Sequence, residues 1–204
     1  MGKNTGFAVV AFLLFVGALV LVLMNQPEQQ EMLPSADGPI PELYPVPDFA
    51  LFDSREEVIT LDDYADTVWV ANFFFTACAG PCPTMIAHMA TLQETFPPGS
   101  GVKFASYSVD PETDTPERLA AYAERYKANT VQWHFLTGPM EEINMLAYEG
   151  FKLGSVDEPV FHSTKFVLVD QKGVIRGYFD GYGEQAEEGM EELKSAIRAL
   201  QKES

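Results

Sequence analysis

Hydrophobic and polar positions follow several rhythms along this chain, and each change of rhythm marks a change of structure. Residues 6 to 24, GFAVVAFLLFVGALVLVLM, are apolar and uncharged throughout. That length matches the ~20 residues a helix needs to cross a bilayer. Residues 25 to 47 are rich in Pro, Gln and Glu and close on PIPELYPVP, which predicts an extended linker. The folded domain is expected to span residues 48–204. DFALF, from Asp48, alternates as a short strand does, and EVITLDDY is a second strand running into a turn. VWVANFFF, residues 68 to 75, is almost continuously apolar, as a central strand buried on both faces should be.

The period then switches. Met85, Met89, Leu92 and Phe96 recur at helical spacing until PPG at 97 to 99 stops the helix. VKFASYSV is the next strand. DTPERLAAYAERY follows, with Thr115 as N-cap, Pro116 in the first turn, and Leu119, Tyr122, Ala123 and Tyr126 as an apolar stripe. QWHFLT reads as a strand and PMEEINMLAYEG as a helix ended by Gly150. STKFVLVDQKGVIRGYFDG is a hairpin with its turn at Asp170 to Gly173, and Met190, Leu193, Ile197 and Leu200 mark a closing helix. Helices between strands imply crossovers and a parallel sheet centre, and the late hairpin adds antiparallel pairing. The sequence therefore predicts an α/β fold, a central mixed sheet flanked by helices. With cysteines at the end of the buried strand and a helix directly after, the layout is thioredoxin-like.

Charge narrows the partners. Thirty acids against 13 Lys and Arg give a net charge of −17. Such a surface repels nucleic acid and anionic headgroups, so neither is a binding target; it attracts a basic partner or keeps the domain soluble. Charge also orients the apolar segment. Lys3 and the terminal amine precede it, and no Lys or Arg follows until Arg55. The positive-inside rule then puts residues 1–5 in the cytoplasm and the domain across the membrane. The segment exceeds a typical signal-peptide core, and no A-x-A site follows. Residues 6–24 are expected to be an uncleaved single-pass transmembrane helix. The absence of an Arg- and Ser-rich presequence favours a bacterial inner membrane with the domain in the periplasm. That compartment is oxidising, and it sets the problem for the thiols.

The chain has two cysteines, Cys78 and Cys82, within FFFTACAGPCPTM. Pro83 suits a first helical turn, so Cys82 is expected at the helix start and Cys78 in the loop leading to it. Unpaired backbone N–H groups there lower thiol pKa. Three uses are open: a structural disulfide, a redox pair, or a soft-metal site. A short-loop disulfide constrains the unfolded chain by only about 2 kcal/mol. As a redox pair, Cys78 would attack a target disulfide and Cys82 would resolve it. As metal ligands, two thiolates select Cu(I) over Mg, Ca or Mn. A site that also holds Cu(II) wants a nitrogen. His88 falls on another helix face, His134 sits within a strand, and His162 lies in EPVFHSTKF just before the hairpin. Met85 and Met89 read as core filler. A peroxidase reading fails because no Pro-x-x-x-Thr-x-x-Cys element is present.

Four stretches resemble the Sco/SenC family of copper-binding cytochrome c oxidase assembly proteins. NFFFTACAGPCPTM is similar to its thiol motif, YSVDPETDTPERLAAYAERY to its Asp-Pro segment and helix, WHFLTG to a further block, and FHSTKFVLVDQKGVIRGYF to the block with its metal-binding histidine. The resemblance covers about residues 47 to 200. It implies that Cys78, Cys82 and His162 bind copper, as Cu(I) or Cu(II). It implies a membrane-anchored copper chaperone whose recipient is the copper-bearing subunit of cytochrome c oxidase, with other periplasmic copper carriers as further partners. The alternative it leaves is a thiol–disulfide oxidoreductase that reduces the recipient's copper-ligand cysteines. One departure is the AGP between the cysteines, where the family more often has proline after the first. No role is carried over to Asp110 or Asp114.

Overall fold

The structure, a computed structural model, describes residues 40–154 and 163–203. The expected cytoplasmic stretch, the apolar segment 6–24, most of the linker, and His162 lie outside the described residues. Among the described residues no helix is long and apolar enough to cross a membrane.

Seven strands form one mixed sheet: β1 (Ala50–Asp53), β2 (Val58–Thr60), β3 (Val68–Phe74), β4 (Val102–Ser108), β5 (Trp133–Thr137), β6 (Lys165–Val169) and β7 (Ile175–Asp180). Their spatial order is β2-β1-β5-β4-β3-β6-β7. β3, β4 and β5 run parallel, and the outer pairs are antiparallel. Among the described residues four α-helices follow strand ends: α1 (Cys82–Thr95), α2 (Pro116–Arg125), α3 (Met140–Met145) and α4 (Ala186–Leu200). This is the mixed sheet with flanking helices that the sequence predicts.

β3 is buried at every position, so its side chains serve two cores. Val68, Val70 and Phe74 join residues of α1, α2 and α4 on one face. Trp69, Ala71 and Phe73 join Tyr107, Phe151 and Ile143 of α3 on the other. Fully burying one large apolar side chain is worth roughly 1.5–3 kcal/mol. Thr115 caps α2 as expected, its hydroxyl accepting from Arg118 N at 3.3 Å. The β6–β7 turn closes on Gly173 at φ 76, a left-handed conformation that glycine adopts without cost.

Two features depart from the sequence expectation. The segment read as one helix through Gly150 changes at Leu146 into a π-turn, Leu146–Gly150. A Cβ on Gly150 would meet Pro47 Cδ at 2.9 Å, so glycine is needed where the turn touches the incoming chain. Packing also begins before Asp48. Leu43 N donates to Ile175 O and Ile175 N to Tyr44 O, and Ile40 and Val46 are buried. Residues 40–47 are thus a strap along the start of β7.

Candidate metal centre

The cysteine loop leaves the carboxyl end of β3. Thr76 opens it and is held there by a side chain distant in sequence. Asp114, fully buried, accepts from Thr76 N at 3.0 Å, from the Thr76 hydroxyl, and from the Ser108 hydroxyl at 2.6 Å. Arg118 Nε donates to Thr76 Oγ1 at 2.7 Å, so the hydroxyl is engaged on both sides. The β4–α2 connection therefore clamps the root of the cysteine loop. No role was carried over to Asp114 from the sequence. Thr76 is only part-buried, and nothing in its local sequence names the acceptor that the fold brings to it.

Cys82 is the first residue of α1 and 4% exposed; Cys78 is half-buried in the loop, and both are free thiols. The placement expected from Pro83 holds. Burial raises the Cys78 pKa, but hydrogen bonds from the Cys82 thiol, the Cys82 N–H and the Gly80 N–H outweigh it, and the net shift is downward. Gly80 lies against this sulfur: a Cβ built on it would sit 3.9 Å from Cys78 Sγ. Cys82 is pushed up to about 12, first by burial and then because its proton is given to Cys78. The pair is asymmetric, one accessible sulfur favoured as thiolate and one buried sulfur holding the shared proton. No acidic residue occupies the first turn of α1, so no nearby carboxylate on that helix opposes the thiolate.

The donor set fits a soft cation. Two sulfurs from one loop, already in contact, can take Cu(I) with loss of one proton or two. Among the described residues no group of three His, Cys, Asp or Glu side chains converges as a metal cluster. The third expected ligand, His162, lies outside the described residues. The other histidines are engaged elsewhere. His134 is buried with Nδ1 2.8 Å from Tyr64 Oη. His88 Nδ1 lies 3.0 Å from Gly181 O. Met85 and Met89 are fully packed in the core, as filler should be. A cavity of ≈ 290 Å³ lined by Thr67, Val102, Lys103 and Gln132 sits at the amino ends of β3 and β4, opposite the thiols, and has no part in this site.

A family model described as SCO1/SenC matches residues 41–198. An SCO1 protein homolog of Bacillus subtilis (strain 168) is 33% identical over 144 residues, 68% of this chain and 75% of that protein. Among solved structures, BsSco is 30% identical with a TM-score of 0.68, covering 79% of this chain and 96% of that one. It is described as a member of the Sco family of cytochrome c oxidase assembly proteins with a disulfide switch. Copper-bound ScoI of Arabidopsis thaliana, 20% identical with a TM-score of 0.58 over 73% of this chain and 98% of that one, shares the fold.

Proposed function

The chain belongs to the SCO1/SenC family, and from that membership we propose that it is a copper chaperone carrying the ion on Cys78, Cys82 and His162. The observation that carries this reading is the asymmetric thiol pair at the head of α1, two soft donors in contact and one of them accessible. Three ligands complete a trigonal Cu(I) site and leave an open position, through which a ligand of the recipient enters. The recipient is the copper-bearing subunit of cytochrome c oxidase. Residues 6–24 anchor the chain in a bacterial inner membrane, with the domain in the periplasm.

The same pair favours a second activity. The Cys78 thiolate attacks a disulfide of the recipient and forms a mixed disulfide, releasing one recipient thiolate. Cys82 then gives up its proton and displaces the second recipient thiolate, closing the Cys78–Cys82 bond. Two electrons pass from this chain to the recipient, whose copper-binding thiols are restored. Oxidation consumes the copper ligands, so the two activities exclude each other on one molecule.

The test is copper titration of the reduced full chain in neutral detergent, without oxygen. About one copper per chain is expected, with at least tenfold weaker binding in Cys78→Ser, Cys82→Ser and His162→Ala. Equal Cu(II) binding by His162→Ala and the unaltered chain would remove the histidine from the ligand set. Equal binding by the oxidised and reduced chains would remove the thiols.

A further inference from the structure

His88 belongs neither to the core nor to the thiol pair, yet it is not idle. Its Nδ1 lies 3.0 Å from the carbonyl oxygen of Gly181. A carbonyl can only accept, so Nδ1 carries the proton and donates. Gly181 directly follows β7, and its own N–H donates to Thr164 O at 2.8 Å. Beside it, Lys165 and Asp180 pair in register, and their side chains bridge at 3.1 Å. The backbone at Gly181 has little freedom, because a Cβ there would lie 2.5 Å from Phe166 Cε2. Two hydrogen bonds therefore run from α1, whose first residue is Cys82, to Thr164, with only Ser163 between that residue and His162.

We propose that His88 is a positioning residue for the copper site, pinning the cysteine helix to the strand end that follows the histidine ligand. The proposal rests on the assignment of His162 above. Cys82 is the first residue of α1 and His88 the seventh, which separates them by about 9 Å along the axis. Six residues also turn the helix by about 240° net, so His88 leaves α1 on a different face from Cys82, and its Nδ1 is committed to Gly181 O. What His88 supplies is register. Without it, α1 can shift against β6 and β7, and the cysteine pair loses its fixed distance to Thr164. Partners that orient ligands in this indirect way change metal affinity by about 10–100-fold.

The experiment uses the full chain in neutral detergent loaded with one equivalent of Cu(II). It reads the electron paramagnetic resonance spectrum and the rate of copper loss to a chelator, with the melting midpoint as a check on folding. His88→Leu should alter the spectrum and speed copper loss about tenfold. His88→Gln places its amide near the Nε2 position and should fail likewise. His88→Asn places an N–H where Nδ1–H was and should restore both readouts. His162→Ala runs in parallel. A normal spectrum in His88→Leu beside an altered one in His162→Ala overturns the positioning role. Failure of His88→Asn with loss of one nitrogen coupling makes His88 a ligand and overturns it too. A normal spectrum in His162→Ala overturns the ligand assignment and this inference together.

Discussion

Tyr64 and His134 meet in the second core, where the tyrosine ring stacks on Trp69 at 4.5 Å and its hydroxyl holds His134 Nδ1. Burial depresses the histidine pKa from 6.5 to about 4; Asp53 and Asp63 oppose the shift, while Lys103 and Arg55 add to it. Between pH 6.5 and 4 the unfolded chain binds a proton that the folded chain refuses, so stability rises with pH across that window. It is complete above pH 6.5 and is lost as pH falls toward 4, by about 3 kcal/mol. Urea unfolding of the chain and of His134→Asn, which keeps an acceptor for Tyr64 but cannot titrate, should differ by that amount in the stability lost between pH 6.5 and 4. Parallel slopes would mean that water reaches the ring. The sequence placed His134 in a strand but could not show its partner, which comes from 70 residues away. Asp114 was hidden for the same reason: its bonds to Thr76 span 38 positions, and no local period encodes them. Cys78 and Cys82 were legible because their chemistry lies within one loop, whereas His162 was marked out by family resemblance.

Strands and helices with a strong period were legible almost to their ends. Continuous apolarity gave β3, and cap residues gave the start of α2. The π-turn was not legible, because Leu146 and Ala147 suit an α-helix equally well, and the close approach of Pro47 to Gly150 comes from a distant part of the chain. The strap was missed because its proline-rich composition describes an extended chain and does not say whether that chain is docked. Arg176 docks it. The guanidinium is 5% exposed, donates to Ile40 O and to Pro41 O at 3.0 Å, and pairs with Asp170 at 2.9 Å and Glu203 at 3.1 Å. Replacing one member of a buried pair costs about 3–5 kcal/mol, because the remaining charge is stranded. Asp170, 2% exposed, is the group that Arg176→Met would strand. The variant should lose stability on that scale, and hydrogen exchange at Leu43 and Val46, whose amides donate to Ile175 O and Gly173 O, should quicken. Unchanged exchange at both amides would show that the strap holds without Arg176.

Over the whole molecule, topology decides where the −17 charge acts. β3, β4 and β5 are parallel, and each hands over to a helix at the same end of the sheet. β7 reaches that end too, since it pairs with β6, which runs antiparallel to β3. The first turns of three of these helices are acidic: Glu117 in α2, Glu141 and Glu142 in α3, Glu187 and Glu188 in α4. Each carboxylate complements its helix dipole, and together they outnumber Arg118, which reaches Thr76 at the root of the cysteine loop, so they bias the end that carries Cys78 toward negative charge, while α1 has no acid in its own first turn. The consequence is selectivity by charge for whatever approaches the accessible sulfur. Reduced full-length chain should react with a cationic disulfide at a rate that falls as salt is added, and with an anionic disulfide at a rate that rises. The change should approach tenfold between low salt and the ~0.1 M at which the screening length shortens to about 10 Å. Intrinsic reactivities of the two reagents differ, so the comparison is of salt slopes followed by stopped flow. Slopes of the same sign would mean that the acids at the helix starts are screened from Cys78, and that the acidity of this chain serves solubility alone.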